Sequence, residues 1–175
     1  MYELRIGSLG SILPEIILLI GGLLVLILDL AENPETYEKE SGSGFMAISV
    51  LFLFVGLIAV TLQWGMDAHT ALSGVDIDPL AAFFKMTIYL GMLLVAIAGG
   101  SYMNRVAPKN GKAEFWSLFM FVTLAMSMAV SASNLILLFL AFEFLSISSY
   151  ILAGFMRENE RSSEAGLKYF LYGSV

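Results

Sequence analysis

Residues Asn134 to Arg157 read NLILLFLAFEFLSISSYILAGFMR. From Asn134 to Met156 the stretch holds one charge, Glu143. About 20 apolar residues in a helix cross the roughly 30 Å hydrocarbon layer of a bilayer, so this run reads as a membrane span. Working outward, four more such runs precede it, from Ile12 to Leu28, Gly44 to Trp64, about Leu80 to Met103, and Phe115 to Ala132. A sixth helix is predicted to start near Ser163. Its 13 residues to Val175 span only about 20 Å at 1.5 Å each, short of a crossing. The chain therefore reads as an all-α integral membrane protein: a polytopic bundle of five transmembrane helices plus the start of a sixth, the opening portion of a longer chain. Met1 is followed by Glu3 rather than a basic cluster, and no small-residue cleavage site follows the first run. That first helix is expected to stay rather than be removed as a signal peptide.

Composition agrees. Hydrophobic residues make up 58% of the 175 and charged ones 14%, against roughly 45–50% and 25% in soluble domains. The net charge is −6 with the excess acid in connecting segments, which leaves no basic surface for nucleic acid. There is no cysteine and a single histidine, His69, so thiolate iron–sulfur sites and multi-histidine metal or haem sites cannot be built from these residues. Phosphate-binding glycine loops, zinc spacings and Ser/His/Asp sets are missing too. No cofactor is expected in this chain, and any redox step belongs elsewhere.

Lysine and arginine set the orientation. With the N-terminus outward, the inward loops hold Lys39, Arg105, Lys109, Lys112, Arg157 and Arg161, and the outward segments hold only Arg5. The outward stretch from Gly65 to Pro79 has no basic residue and carries Asp67, Asp76 and Asp78 among turn signals. In it, His69 reads as a solvated side chain rather than a ligand.

An ionisable group inside a span costs about 2.5–3.5 kcal/mol even on lenient insertion scales. Glu143 is the clearest such group, near the centre of the fifth span. Ser146 and Tyr150 follow on the same face, with Gly154 a turn further, and form a polar stripe toward the inner surface. The other direction is apolar. A carboxyl at the blind end of a one-sided wet stripe suits a proton half-channel; the alternative is a neutral carboxylic acid bonded across helices as packing glue. Lys168 lies in the sixth helix after Ser163, a plausible N-cap. It is either an i,i+4 partner of Glu164 that snorkels to the interface, or a relay site pointing into the bundle. Counting depths from the inner ends separates the Glu143 and Lys168 backbones by about 12–13 Å along the membrane normal. Glu15, after Pro14, fits a helix start. Lys85, inside the third span, can snorkel outward or pair with Asp78.

Three stretches carry a family resemblance. LPEIILLIGGLLVLILDL, Leu13 to Leu30, resembles the opening helix of subunit N of the proton-pumping NADH:quinone oxidoreductase, respiratory complex I. The Asn134 to Arg157 stretch resembles that subunit's fifth helix, whose buried glutamate matches Glu143. SEAGLKYFLYG, Ser163 to Gly173, resembles its sixth-helix signature, whose lysine matches Lys168. The last is the most specific, because the EA-x-x-KYF string separates subunit N from its antiporter-like sisters. Val75 to Gly100 also resembles the family's third helix.

The resemblance implies a fourteen-helix subunit in which helices four to eight and nine to thirteen form inverted repeats. Residues 1–113 would then be three leading helices and 114–175 the beginning of the first repeat. It implies proton translocation coupled to quinone reduction, with Glu143 and Lys168 as relay residues, Ser146 and Tyr150 as the supporting stripe, and Lys85 and Glu15 as weaker candidates. The family pairs the fifth-helix glutamate with a seventh-helix lysine and passes protons on through lysines of the eighth and twelfth. None of those partners lies in these residues. Other complex I membrane subunits, especially antiporter-like neighbours, are the implied partners. Flavin, iron–sulfur clusters and quinone are implied in other subunits, and the bacterial inner membrane is the implied site. Two other readings stay open: a subunit of a multisubunit sodium/proton antiporter, and a structural membrane scaffold.

Overall fold

A computed structural model of the chain describes residues 10–31, 41–66, 68–71, 74–106 and 111–173. Arg5, Lys39, Asp67 and Lys109, used above for orientation, lie outside them. All five expected spans are present as helices long and apolar enough to cross a membrane: α1 Leu13–Ala31, α2 Ser41–Gln63, α3 Pro79–Val106, α4 Lys112–Val130 and α5 Leu135–Ala153. Hydrocarbon offers no partner to a free peptide group, so an apolar run of this length closes its hydrogen bonds within itself as a helix. A shorter helix, α6, covers Glu160–Gly173. The chain is thus an integral, multi-pass membrane protein.

Helix α4 forms the centre of the bundle and touches α1, α2, α3 and α5. In its most apolar window 56% of residues are buried, against 11% in α5, which forms one flank. The core gathers around Trp116, Phe119, Met120 and Leu124 of α4 with Leu18 and Val25 of α1, Leu53 and Val60 of α2, and Tyr89 of α3. Lipid supplies no hydrophobic drive between helices, so close approach has to come from small residues. The Gly21–Gly22 pair of α1 provides it. A Cβ on Gly21 would lie 2.5 Å from the Met120 side chain and 2.6 Å from the Phe52 ring, and one on Gly22 would lie 2.7 Å from the Phe121 ring. The large exposed side chains, including Ile27, Phe54, Leu94, Phe139 and Phe142, face outward as a lipid-facing surface should.

Two features depart from expectation. Between α2 and α3 the chain forms an antiparallel hairpin of β1 His69–Ala71 and β2 Val75–Ile77, in the register His69↔Ile77, Thr70↔Asp76, Ala71↔Val75. Its inner side is held to the α4–α5 link: the Asp76 amide donates to the Ser131 carbonyl at 2.7 Å and the Ser133 amide to the Gly74 carbonyl at 2.8 Å. The second departure is the start of α6. Ser163 is not its N-cap. The Asn159 side chain accepts from the Arg161 amide at 3.0 Å, and the Asn159 carbonyl accepts from Ser162 and Ser163 at 2.9 and 3.0 Å. Asparagine caps a helix as well as serine does and here it comes earlier, so the helix starts a turn sooner. Asn134 plays the same part for α5, with its side chain accepting from the Leu137 amide.

Candidate functional site

The residues brought together most tightly are Glu15, Lys85 and Ser127, from α1, α3 and α4. Spans one and three both begin at the same side of the bundle, so the first turn of α1 and the second turn of α3 lie at neighbouring depths. Glu15 is two residues into α1 and Lys85 six into α3, which separates their backbones by about 6 Å along the helices and leaves the long lysine stem to reach back. The Lys85 Nζ lies 2.7 Å from Glu15 Oε1, with the two side chains 1% and 8% exposed. Ser127, near the end of α4, donates its hydroxyl to the same carboxylate oxygen at 2.7 Å. Tyr89, one turn below Lys85, donates to the Pro14 carbonyl at 3.0 Å and fixes α1 against α3.

Lys85 therefore neither snorkels outward nor pairs with Asp78. Asp78 instead caps α3, accepting from the Ala81 amide at 2.6 Å. Glu15 keeps its place in the first turn of α1, but its carboxylate turns to the ammonium rather than to the free amides of the helix start. The reason is energetic: a cation buried in the bundle needs an anion, and a glutamate at matching depth supplies it. The pairing is incomplete. Glu15 Oε2 has no hydrogen-bond partner among the described residues, and the ammonium is at ion-pair distance without a well-aligned hydrogen bond.

Above this pair, toward the hairpin, polar groups continue. Ser11 is buried and its Oγ lies 2.8 Å from the Nε2 of His69, an exposed hairpin residue. Gln63 at the end of α2 donates to the Ser11 carbonyl at 2.6 Å. His69 is thus tied into the bundle top rather than simply solvated.

The other candidates lie apart from this cluster. Glu143 is exposed on the face of α5 turned away from α4; Ala141 and Ser148, on the opposite face, are the buried positions. Ser146 is half-buried. Tyr150 packs its ring edge-on against Tyr169 at 4.8 Å and Phe170 at 5.7 Å. Gly154 meets Gly166 of α6 backbone to backbone. On its other side Tyr150 borders an open cleft of about 730 Å³ between α4, α5 and α6, shared with Glu114, Arg157, Glu158 and Ser163. Lys168 pairs with Glu164 at 2.6 Å in the i,i+4 geometry, with both side chains more than half exposed. Because α6 begins at Glu160, Lys168 stands about 12 Å along its helix rather than about 7 Å, and its depth by residue count approaches that of Glu143. Among the described residues no group of three or more His, Asp or Glu side chains is arranged to hold a metal ion.

Reasoning from sequence missed Ser127, and it named Glu15 and Lys85 as candidates without pairing them. The available signal was the parity of the spans: the first and third run in the same direction, so charges near their starts share one level of the bilayer.

Comparison with known proteins identifies relatives along most of the chain. A family model described as NADH:quinone oxidoreductase/Mrp antiporter, TM, matches residues 132–175. A subunit N of NADH-quinone oxidoreductase from Trichlorobacter lovleyi is 33% identical over 168 residues, which are 95% of this chain and 33% of that protein. One from Beijerinckia indica is 37% identical over 170 residues, 95% of this chain and 34% of that protein. An F(420)H(2) dehydrogenase subunit N from Methanosarcina mazei is 33% identical over 168 residues, 93% of this chain and 33% of its own length. The chain thus spans about a third of the length of the relatives it matches.

Proposed function

From the premise that this chain is a homologue of NADH-quinone oxidoreductase subunit N over nearly its whole length, we propose that it is the proton-translocating part of a membrane-arm subunit. It carries ionisable groups through the bilayer and no redox chemistry. In this reading α1 to α3 are leading helices, α4 onward begins an antiporter-like repeat, and the N-terminus faces out of the cytoplasm across a bacterial inner membrane. The observation that carries the reading is the Glu15–Lys85 pair, buried in a five-span bundle. A charge pair inside a membrane protein costs more to build than apolar packing of the same volume. One whose second carboxylate oxygen has no partner among the described residues gains nothing for the fold from that oxygen.

Glu143 and Lys168 are the proposed relay toward the inner side. Support comes from the stripe of Ser146 and Tyr150 below Glu143, and from the charged cleft that reaches Tyr150 from the inner end of the bundle. The open face of α5 leaves Glu143 available to a cationic partner on a further helix, and changes in the charge and hydration around it, driven by quinone reduction in other subunits, would move its proton. Flavin, iron–sulfur clusters and quinone belong to those partner subunits.

The test uses the assembled complex in membrane vesicles carrying the double variant Glu15→Gln/Lys85→Met, in which both charges go and the volume stays. The complex is expected to assemble and oxidise its donor while moving fewer protons per electron. Normal assembly with normal pumping would make the pair a structural contact and defeat the reading. Sodium movement without donor oxidation would favour the antiporter instead.

A further inference from the structure

The polar groups between the hairpin and the Glu15–Lys85 pair form a descending series. His69 is exposed at the top of the bundle. Its Nε2 meets the Ser11 Oγ at 2.8 Å, and Ser11 is 3% exposed. Glu15 lies four residues further along the chain, in the first turn of α1 and about 6 Å deeper by residue count. Its Oε2, buried and without a hydrogen-bond partner among the described residues, is the last member of the series. One bridging water between the Ser11 hydroxyl and Glu15 Oε2 would complete the series. Below the pair Leu18 on α1 and Tyr89 on α3 are both fully buried, Tyr89 donates its hydroxyl to the Pro14 carbonyl, and Thr123 of α4, a turn deeper than Ser127, donates its own to the Phe119 carbonyl at 3.0 Å.

We propose that Glu15 exchanges protons with the outer aqueous phase alone, through His69 and Ser11, with Lys85 as the counter-charge that sets whether the proton stays. The inference rests on the proton-translocating reading and on the outward N-terminus. The step is a bare proton transfer: an imidazolium N–H bond at His69 breaks, an O–H bond at Glu15 forms, and the Ser11 hydroxyl with one water carries the proton between them. When Glu15 is protonated its attraction for the ammonium falls away, so the site couples proton uptake from outside to release of Lys85. Among the described residues the groups that face it are few. Helix α3 contributes Lys85, Tyr89 and, at its mouth, Asp78, already engaged as a cap. The hairpin contributes His69 and Asp76, and Asp76 accepts from Thr70 at 2.7 Å. Helices α2 and α4 present Gln63 and Ser127 there, both uncharged.

The experiment reads sidedness in vesicles of defined orientation containing the full-length protein in its complex. This chain has no cysteine, so with other cysteines replaced Ser127→Cys reports the water around Glu15. Silver ion, small enough to follow a water path, is added to one side and the remaining thiol is counted. Silver is expected to react at least tenfold faster from the outer side, with Ser11→Cys behaving likewise, while Leu18→Cys stays unreactive from both. Faster reaction from the inner side, equal rates, or no reaction at either serine position in an assembled complex would overturn the inference. The proton step is read separately: His69→Gly should slow pumping several-fold, and imidazole in the outer compartment only should restore it. Rescue from the inner compartment, or no loss at all, would remove His69 from the path. Sided silver access with unchanged pumping in Glu15→Gln/Lys85→Met would leave the path standing and sink the pumping reading; loss of pumping with inner-side access would do the reverse.

Discussion

Replacing Lys85 by Met removes the ammonium but keeps most of the stem, so packing against α1 and α4 is nearly conserved. What remains is a carboxylate of which 8% is exposed, with Ser127 as its one described hydrogen-bond donor. It can stay charged in a poor solvent or take a proton. Protonating a carboxyl of ordinary acidity at pH 7 costs about 3.7 kcal/mol, at 1.36 kcal/mol for each of about 2.7 units, which bounds the damage. Cleaving one side of a buried pair elsewhere has cost about 3–5 kcal/mol, in the same range. Glu15→Gln should cost less. The orphaned ammonium lies six residues from the start of α3, about 9 Å, and its stem can carry it partway to the outer interface. The double variant Glu15→Gln/Lys85→Met should recover to within about 1–2 kcal/mol of the parent, because no charge is left stranded and the amide still accepts the Ser127 hydroxyl. Unfolding the purified protein in detergent across this double-mutant cycle gives the coupling directly. A coupling of about 2 kcal/mol or more is expected. Single variants costing under about 1 kcal/mol each, with additive effects, would refute the claim that the pair is a desolvated ionic contact.

Ser127→Ala removes a hydroxyl donated to a charged oxygen and should cost about 1.5–3 kcal/mol in the same unfolding assay; Ser127→Thr, which keeps the hydroxyl, should cost less. Asn134→Ala strips the cap of α5 and should lose about 1 kcal/mol, with Asn134→Ser largely retaining it. Gly166→Leu puts a side chain where a Cβ alone would lie 2.8 Å from the Gly154 Cα. It should push α6 off α5, and limited proteolysis should then cut faster at Arg157, in the link between them.

Much of the bundle was legible because the bilayer imposes so strict a rule. A run such as Leu135 to Ala153 can satisfy its backbone only as a helix, and its ends follow from where polar residues resume. Boundaries were less legible where caps compete: Asn159 and Ser163 both suit a helix start, and the earlier of the two takes it. The β hairpin was hidden because the outer loop's aspartates and glycine read as turns, and its few strand residues are too short a run to show alternation. The site was legible in residue type and not in pairing. Glu15, Lys85, Glu143 and Lys168 all stand out as charges in apolar helices, but which charge meets which depends on how α1, α3 and α4 surround one another. Span parity narrows that choice without settling it. Ser127 gave no signal, since a serine in a membrane helix usually bonds its own backbone, as Ser117 of α4 does to the Glu114 carbonyl at 3.0 Å.

The most direct test of the proton-handling claim is at Glu143, which is exposed on α5 and makes no described contact that the fold depends on. In the assembled full-length complex, protons moved per electron are measured for Glu143→Gln beside Glu143→Ala, together with the amount of complex formed. The account predicts that both variants assemble and that both pump less. Full pumping by Glu143→Gln, with assembly failing only in Glu143→Ala, would show that the carboxyl joins helices rather than carrying protons, and would contradict it.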